Sequence, residues 1–201
     1  MYKTLIFAAV IFLNTVIISQ IKTDSYYKTI LLSVKTGYHT GYDLKYDRGF
    51  PDGLVFDGSI AVGVSKNILL GVNFDYWKKN NYEVKSVFYT EPLSKNFTAQ
   101  GFRFYVQYRN TFLNRLNLYV DAGLGQYRIS YNFWSGSSYN ADNNYYLNAG
   151  LSLGAGYKFS SLISLNAEIS HYKQLDFDVG GSSSVYTTNI KIGPTFYFKI
   201  K

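Results

Sequence analysis

Apolar and polar residues alternate along most of this chain with a period of two. The clearest stretch is Leu147–Phe159, LNAGLSLGAGYKF. Leu147, Ala149, Leu151, Leu153, Ala155, Tyr157 and Phe159 fall on one face, and Asn, Gly, Ser and Lys on the other. Successive side chains of a strand point to opposite faces, so this reads as a strand between two different surroundings. Seven more segments behave alike: 29–40, 55–65, 68–77, 97–109, 115–131, 162–172 and 186–200. Two irregularities are expected. The phase blurs after Gly125, which suggests either a bulge or the end of the buried stretch. Pro194 removes one ladder donor from the last strand.

The connections alternate in length. Polar stretches 41–53, 78–96, 132–146 and 173–185 read as four long loops. Short turns are expected near Lys66-Asn67, at 110–114 and at Ser160-Ser161. Short turns at one end and long loops at the other are the layout of outer-membrane barrels, with the long loops outside. An open sheet edge cannot sit in hydrocarbon, so the strands must close on themselves. The predicted fold is all-β: a closed eight-stranded antiparallel up-and-down transmembrane β-barrel, its Leu/Ile/Val/Phe phase toward lipid. A soluble barrel with its apolar phase inside is the rival, and it does not explain the loop asymmetry.

Residues 1–19 read as a signal peptide. Lys3 precedes the apolar run Leu5–Ile18, which is too short to span a bilayer. The mature chain is expected to begin close to Gln20, and 20–201 to form the barrel domain. Composition agrees. Aromatics make up 19% of the chain, with 21 Tyr and 15 Phe, and such residues favour strands and membrane interfaces. Mean hydropathy is −0.10, which rules out a bundle of membrane helices and suits a barrel with one polar face. There is no Cys, so disulfides, thiolate chemistry and Cys-based metal sites are absent.

The formal net charge is +7. Most Lys and Arg fall in the loops or toward the short-turn end, which suits anionic headgroups and water. Nothing concentrates them into a nucleic-acid surface. Eight charges remain in the wall: Lys35, Arg103, Arg128 and Lys191 against Asp57, Asp75, Asp121 and Glu168. All but Arg128 take the inward phase. Equal distance from the centre of each connection sets Arg103 level with Asp121, Glu168 with Lys191, and Lys35 near Asp57. The turn at Lys66-Asn67 sets Asp57 against Asp75. Inward charges in a narrow barrel must be paired or hydrated. The seven therefore read as a structural lumen network, with a charged channel as the other possibility. A carboxylate pair at Asp57 and Asp75 could share a proton or hold a cation, although ion pairing is the simpler expectation.

Catalytic candidates are few. His39 and His171 end strands one and seven on opposite phases and cannot share a site. The glycines of Gly150–Gly156 lie inside a strand and open no helix, so they form no phosphate loop. No catalytic, cofactor or metal site is expected.

Leu118–Gly125 (LYVDAGLG), Gly154–His171 (GAGYKFSSLISLNAEISH) and Gly193–Phe198 (GPTFYF) resemble the small outer-membrane β-barrel proteins of the OmpA/OmpX-like superfamily. The middle stretch is similar to the family's penultimate hairpin and the last to its closing strand. The resemblance implies residence in the cell outer membrane, outer-membrane lipids including lipopolysaccharide as surroundings, insertion by the assembly machinery, and a monomer. Two departures stand out. The chain ends Phe198-Lys199-Ile200-Lys201 rather than on an aromatic, and no peptidoglycan-binding domain is expected after the barrel. Some similar barrels modify lipid A. Deacylases of that kind carry His-x-Ser late in the chain, where this sequence reads His171-Tyr172-Lys173, and the His, Asp and Ser of the acyltransferases are not evident. The expected function is a non-enzymatic barrel with a structural or surface-interaction role. A narrow pore or small-molecule conduit is the alternative, and a lipid A-modifying enzyme the weaker one.

Overall fold

A computed structural model describes residues 25–43, 48–84, 93–112, 115–135, 138–176 and 184–200. The segment read as a signal peptide lies outside the described residues. Eight strands follow one another: β1 Thr29–Asp43, β2 Arg48–Gly63, β3 Ile68–Val84, β4 Leu93–Phe112, β5 Leu116–Ser135, β6 Ser138–Lys158, β7 Ile163–Asp176 and β8 Ser184–Lys199. Each pairs antiparallel with its sequence neighbours, and β1 pairs with β8 to close the barrel.

Burial follows the predicted phase in an inverted sense, as a membrane barrel requires. Leu151, Leu153, Ile169, Ile190, Val106 and Phe104 are exposed, and alternate polar positions such as Ser152, Glu168, Asn189 and Gln107 are buried. The outward apolar run on β6 extends from Leu147 to Tyr157, and a tilted strand needs about 9–11 residues to cross a bilayer. Exposed aromatics rim both ends of this band: Tyr38, Phe56, Phe74, Phe102 and Tyr145 toward the long connections, and Tyr108, Tyr157, Phe159 and Phe198 toward the short turns. Such girdles mark the two interfaces of a membrane barrel.

Three details depart from the sequence reading or sharpen it. The strands are longer than expected. Much of 41–53, 78–96 and 132–146 is paired strand, β5 and β6 staying in register as far as Ser135 and Ser138. Above the membrane both faces of a hairpin meet water, so the ladder continues where alternation of residue type has ceased. For the same reason there is no bulge after Gly125. The β4–β5 ladder is unbroken, and the residue types change because Gln126 and Arg128 face outward beyond the apolar band while Tyr127 and Ile129 remain inside. Pro194 does interrupt the seam. Pairing of β1 with β8 runs to Ser33↔Thr195 and resumes at Thr36↔Ile192.

Inside, glycine and tyrosine face one another across the ladders. Tyr105 is opposite Gly71, Tyr127 opposite Gly101, Tyr119 opposite Gly154 and Tyr172 opposite Gly150. Each ring covers its glycine so closely that an added Cβ would lie 2.0–2.5 Å from a ring carbon. A cross-strand aromatic covers the backbone a glycine leaves bare, and the glycines give the rings room in a narrow lumen. At Gly150 an added Cβ would also meet the His171 carbonyl at 2.3 Å, whereas Gly58, on the outer face, has nothing within 4 Å. Gly150→Ala should therefore cost about 1–3 kcal/mol through overpacking, and Gly58→Ala should be tolerated. Urea unfolding of the vesicle-inserted variants checks this; equal stabilities would mean that the Tyr172 ring does not lie on Gly150.

Candidate functional site

The lumen is filled in three layers. Toward the short turns, Tyr26, Leu31, Ala61, Leu69 and Tyr197 form an apolar cluster, with Tyr105 packed against it. Tyr26 precedes β1. The chain turns at Lys28, which has a positive φ of 57°, and carries the Tyr26 ring into the barrel mouth. Its hydroxyl meets Thr111 Oγ1 at 2.6 Å and donates to Asn117 Oδ1 at 2.8 Å. Gly63 makes this possible, since a Cβ there would lie 1.7 Å from the Tyr26 carbonyl oxygen. Toward the long hairpins a second apolar cluster comprises Val55, Trp77, Ala99, Tyr127 and Ile129. His39 stacks on Trp77 at 4.5 Å, and its Nδ1 lies 2.7 Å from Asn189 Oδ1.

Between the clusters lies the charged layer. Lys191 Nζ is 2.6 Å from Asp57 Oδ2, 3.0 Å from Glu168 Oε1 and 3.8 Å from Asp75 Oδ1. Lys35 pairs with Glu168. Arg103 Nη2 is 2.7 Å from Asp75 Oδ2 and donates to Asn73 Oδ1 at 2.5 Å, and Asn73 Nδ2 donates to Asp57 Oδ2 at 2.6 Å. The Arg103 guanidinium also lies over the Tyr172 ring at 3.6 Å, a cation–π contact. Three cations and three carboxylates from β1, β2, β3, β4, β7 and β8 thus form one continuous set. None of the six is more than 7% exposed.

All seven lumen charges read from the sequence face inward, but their pairing differs in two respects: Asp57 takes Lys191 and Lys35 takes Glu168 rather than each other, and Arg103 has another partner. Lys35 is level with Asp57, Asp57 with Asp75, and Glu168 with Lys191. Arg103 and Asp121 are not partners. Arg103 is opposite Gly125, and Asp121 is opposite Gln107 and Ser152. The β4–β5 turn centres two residues later than the midpoint assumed, because β4 runs on to Phe112, and this moves the pairing by four residues. An even displacement keeps every side chain on its face, so only the partners change. Asp121 instead accepts from Gln107 Nε2 at 3.3 Å.

Arg109, toward the short-turn end of β4, is buried in the lumen. It donates to Gln107 Oε1 at 3.0 Å and to the Tyr197 hydroxyl at 2.9 Å, and it lies over the Tyr119 ring at 4.3 Å. Its inward phase was readable from the sequence; its depth was not, because the turn beyond it is short. Lys35, Arg103, Arg109, Asp121 and Glu168 line a cavity of about 20 Å³, room for one or two waters. His171 faces outward, with Nδ1 3.0 Å from Thr188 Oγ1 and its ring stacked on Tyr186.

A closed eight-stranded barrel with an apolar exterior, aromatic girdles and a polar, side-chain-filled interior defines an outer-membrane β-barrel. The chain has the fold of the small OmpA/OmpX-like barrels, and its place is the cell outer membrane. Among solved structures it is similar to Neisserial surface protein A (TM-score 0.60, 15% identity, 84% of this chain and 97% of that one). It is also similar to the attachment invasion locus protein Ail of Yersinia pestis, solved with the heparin analogue sucrose octasulfate (0.56, 13%, 84% and 99%). A third is the outer membrane protein OprG of Pseudomonas aeruginosa (0.55, 11%, 88% and 99%). At such identities the likeness is one of fold. No family model and no curated protein sequence matches the chain.

Proposed function

We propose that this protein is a non-enzymatic outer-membrane barrel with a structural or surface-interaction role and a closed lumen. In this reading residues 1–19 are removed on export, and 20–201 are inserted by the assembly machinery. The barrel then stands as a monomer among outer-membrane lipids, lipopolysaccharide included. The observation that carries the reading is the charged layer. Its six buried groups are spent on one another, and it lies between two apolar clusters. Ions would have to break several buried pairs to pass, and uncompensated buried charge is costly. The outward His171, held by Thr188 and Tyr186, favours an interfacial role over catalysis.

Planar-bilayer recording tests the closed lumen. The wild-type protein is expected to give no steady conductance. A steady, salt-dependent current would overturn the reading in favour of a narrow pore or small-molecule conduit.

A further inference from the structure

Arg128 is the wall charge that does not face the lumen. It lies on the outer face of β5, opposite Gln100 on β4 and Tyr145 on β6. One rung nearer the membrane centre, Phe74, Phe102 and Gln126 share a row. Gln100 and Gln126 are the first polar outward positions above the apolar run of their strands, so this is where the hydrocarbon ends. The surface is concave there. A depression of about 290 Å³ is lined by Phe74, Gln100, Phe102, Gln126, Arg128 and Tyr145, and Gly101 forms part of its wall.

The depression has two chemical halves. Its lower half is the exposed faces of Phe74 and Phe102. Its upper half is two amides and a guanidinium, and no carboxylate lines it. Arg128 Nη2 donates to Asn143 Oδ1 at 2.9 Å, an acceptor also used by Ser130 Oγ at 2.6 Å. Arg128 Nε is buried and has no hydrogen-bond partner among the described residues. A guanidinium N–H without an acceptor is costly away from water. The tie to Asn143 fixes one arm of the guanidinium and leaves donors for an acceptor arriving from the membrane side. Arg presents a planar fork suited to phosphate, and charge-assisted bonds to phosphate are the strong ones.

A ligand that satisfies both halves has an anionic phosphate joined to an apolar chain. We propose that this depression binds the phosphorylated headgroup of an outer-leaflet lipid. The phosphate is held by Arg128 and the Gln100 and Gln126 amides, and an acyl chain lies on Phe74 and Phe102. The proposal rests on the reading that the long hairpins point outward, and it does not depend on whether the lumen conducts, so the bilayer recording and the lipid assay can fail separately.

Native mass spectrometry of the detergent-solubilised barrel with added diphosphoryl lipid A tests it. The wild type should retain the lipid, and Arg128→Gln should weaken retention about tenfold, the size of a lost charge-assisted hydrogen bond. Arg115→Gln is the control. Arg115 is exposed at the opposite end, where it bonds the Tyr157 hydroxyl, and its loss should leave retention unchanged. Heat-modifiable electrophoretic mobility establishes that each variant is folded. Equal retention by wild type and Arg128→Gln would overturn the proposal, as would an equal loss in Arg115→Gln, which would mean that only overall charge matters. Excess inorganic phosphate should leave the lipid bound; displacement by phosphate alone would make this a site for a free anion and overturn the lipid assignment.

Discussion

Lys191→Met should destabilise the barrel by about 3–5 kcal/mol, the range for removing one partner of a buried ion pair. Lys191 is 1% exposed and contacts Asp57, Glu168 and, more distantly, Asp75. Methionine keeps the length of the chain and removes the charge. Glu168 would retain Lys35 and the Tyr119 hydroxyl, and Asp75 would retain Arg103. Asp57 would lose its direct cation contact and keep the Asn73 amide as a donor, with the Asp75 carboxyl beside it. The largest part of the loss should therefore come from Asp57, and adding Asp57→Asn should recover some of it. Urea unfolding in lipid vesicles, followed by tryptophan fluorescence, gives the four stabilities of the double-mutant cycle. Additive losses without coupling would show that water reaches these groups, and the closed-lumen proposal would fall with the pairing.

The lipid face carries the second large effect. Leu151→Arg should cost about 2–4 kcal/mol, the penalty for a cation near the bilayer midplane. Leu151 is 60% exposed and sits in the middle of the β6 apolar run. Thr40→Arg is the matched control, on the same outward phase, exposed on β1 above the band. It should cost about 0–1 kcal/mol, as expected near the interface. Equal penalties in the same unfolding assay would mean that hydrocarbon does not end between these two positions.

The sequence carried the faces of the strands better than their neighbours. Period-two alternation places a residue inside or outside whatever the turns do, and the seven charges it puts on the inner phase lie on the lumen side of the wall. Pairing needs the turn centre as well. The tight turn at Lys66-Asn67 located Asp57 against Asp75, whereas an error of two residues at the β4–β5 turn assigned Arg103 the wrong partner. Contacts across the lumen were out of reach. Lys35 meets Glu168 although β8 lies between their strands, because side chains of a narrow barrel converge on its axis. Tyr26 was missed for another reason: it precedes the first alternating segment, and a lone aromatic there carries no periodic signal. The Arg128 depression was half legible. Arg128 stands apart in the sequence as the wall charge in the stretch where the phase blurs, but its outward position and the concavity beneath it, from the row of Phe74, Phe102 and Gln126, come only with the register.

The seat of Tyr26 also implies an order of assembly. Its hydroxyl partners, Thr111 and Asn117, face each other across the β4–β5 hairpin, 85 and 91 residues further along the chain. The receptor for the first described aromatic is thus built from the middle of the chain, and the ring must enter through a mouth framed by all eight strands. Tyr26 can settle only after that hairpin has zipped, and it is held in place only once β1 has met β8. Docking of this ring is therefore a late event in biogenesis, a clasp fastened from the front of the chain on a vessel whose walls are already standing.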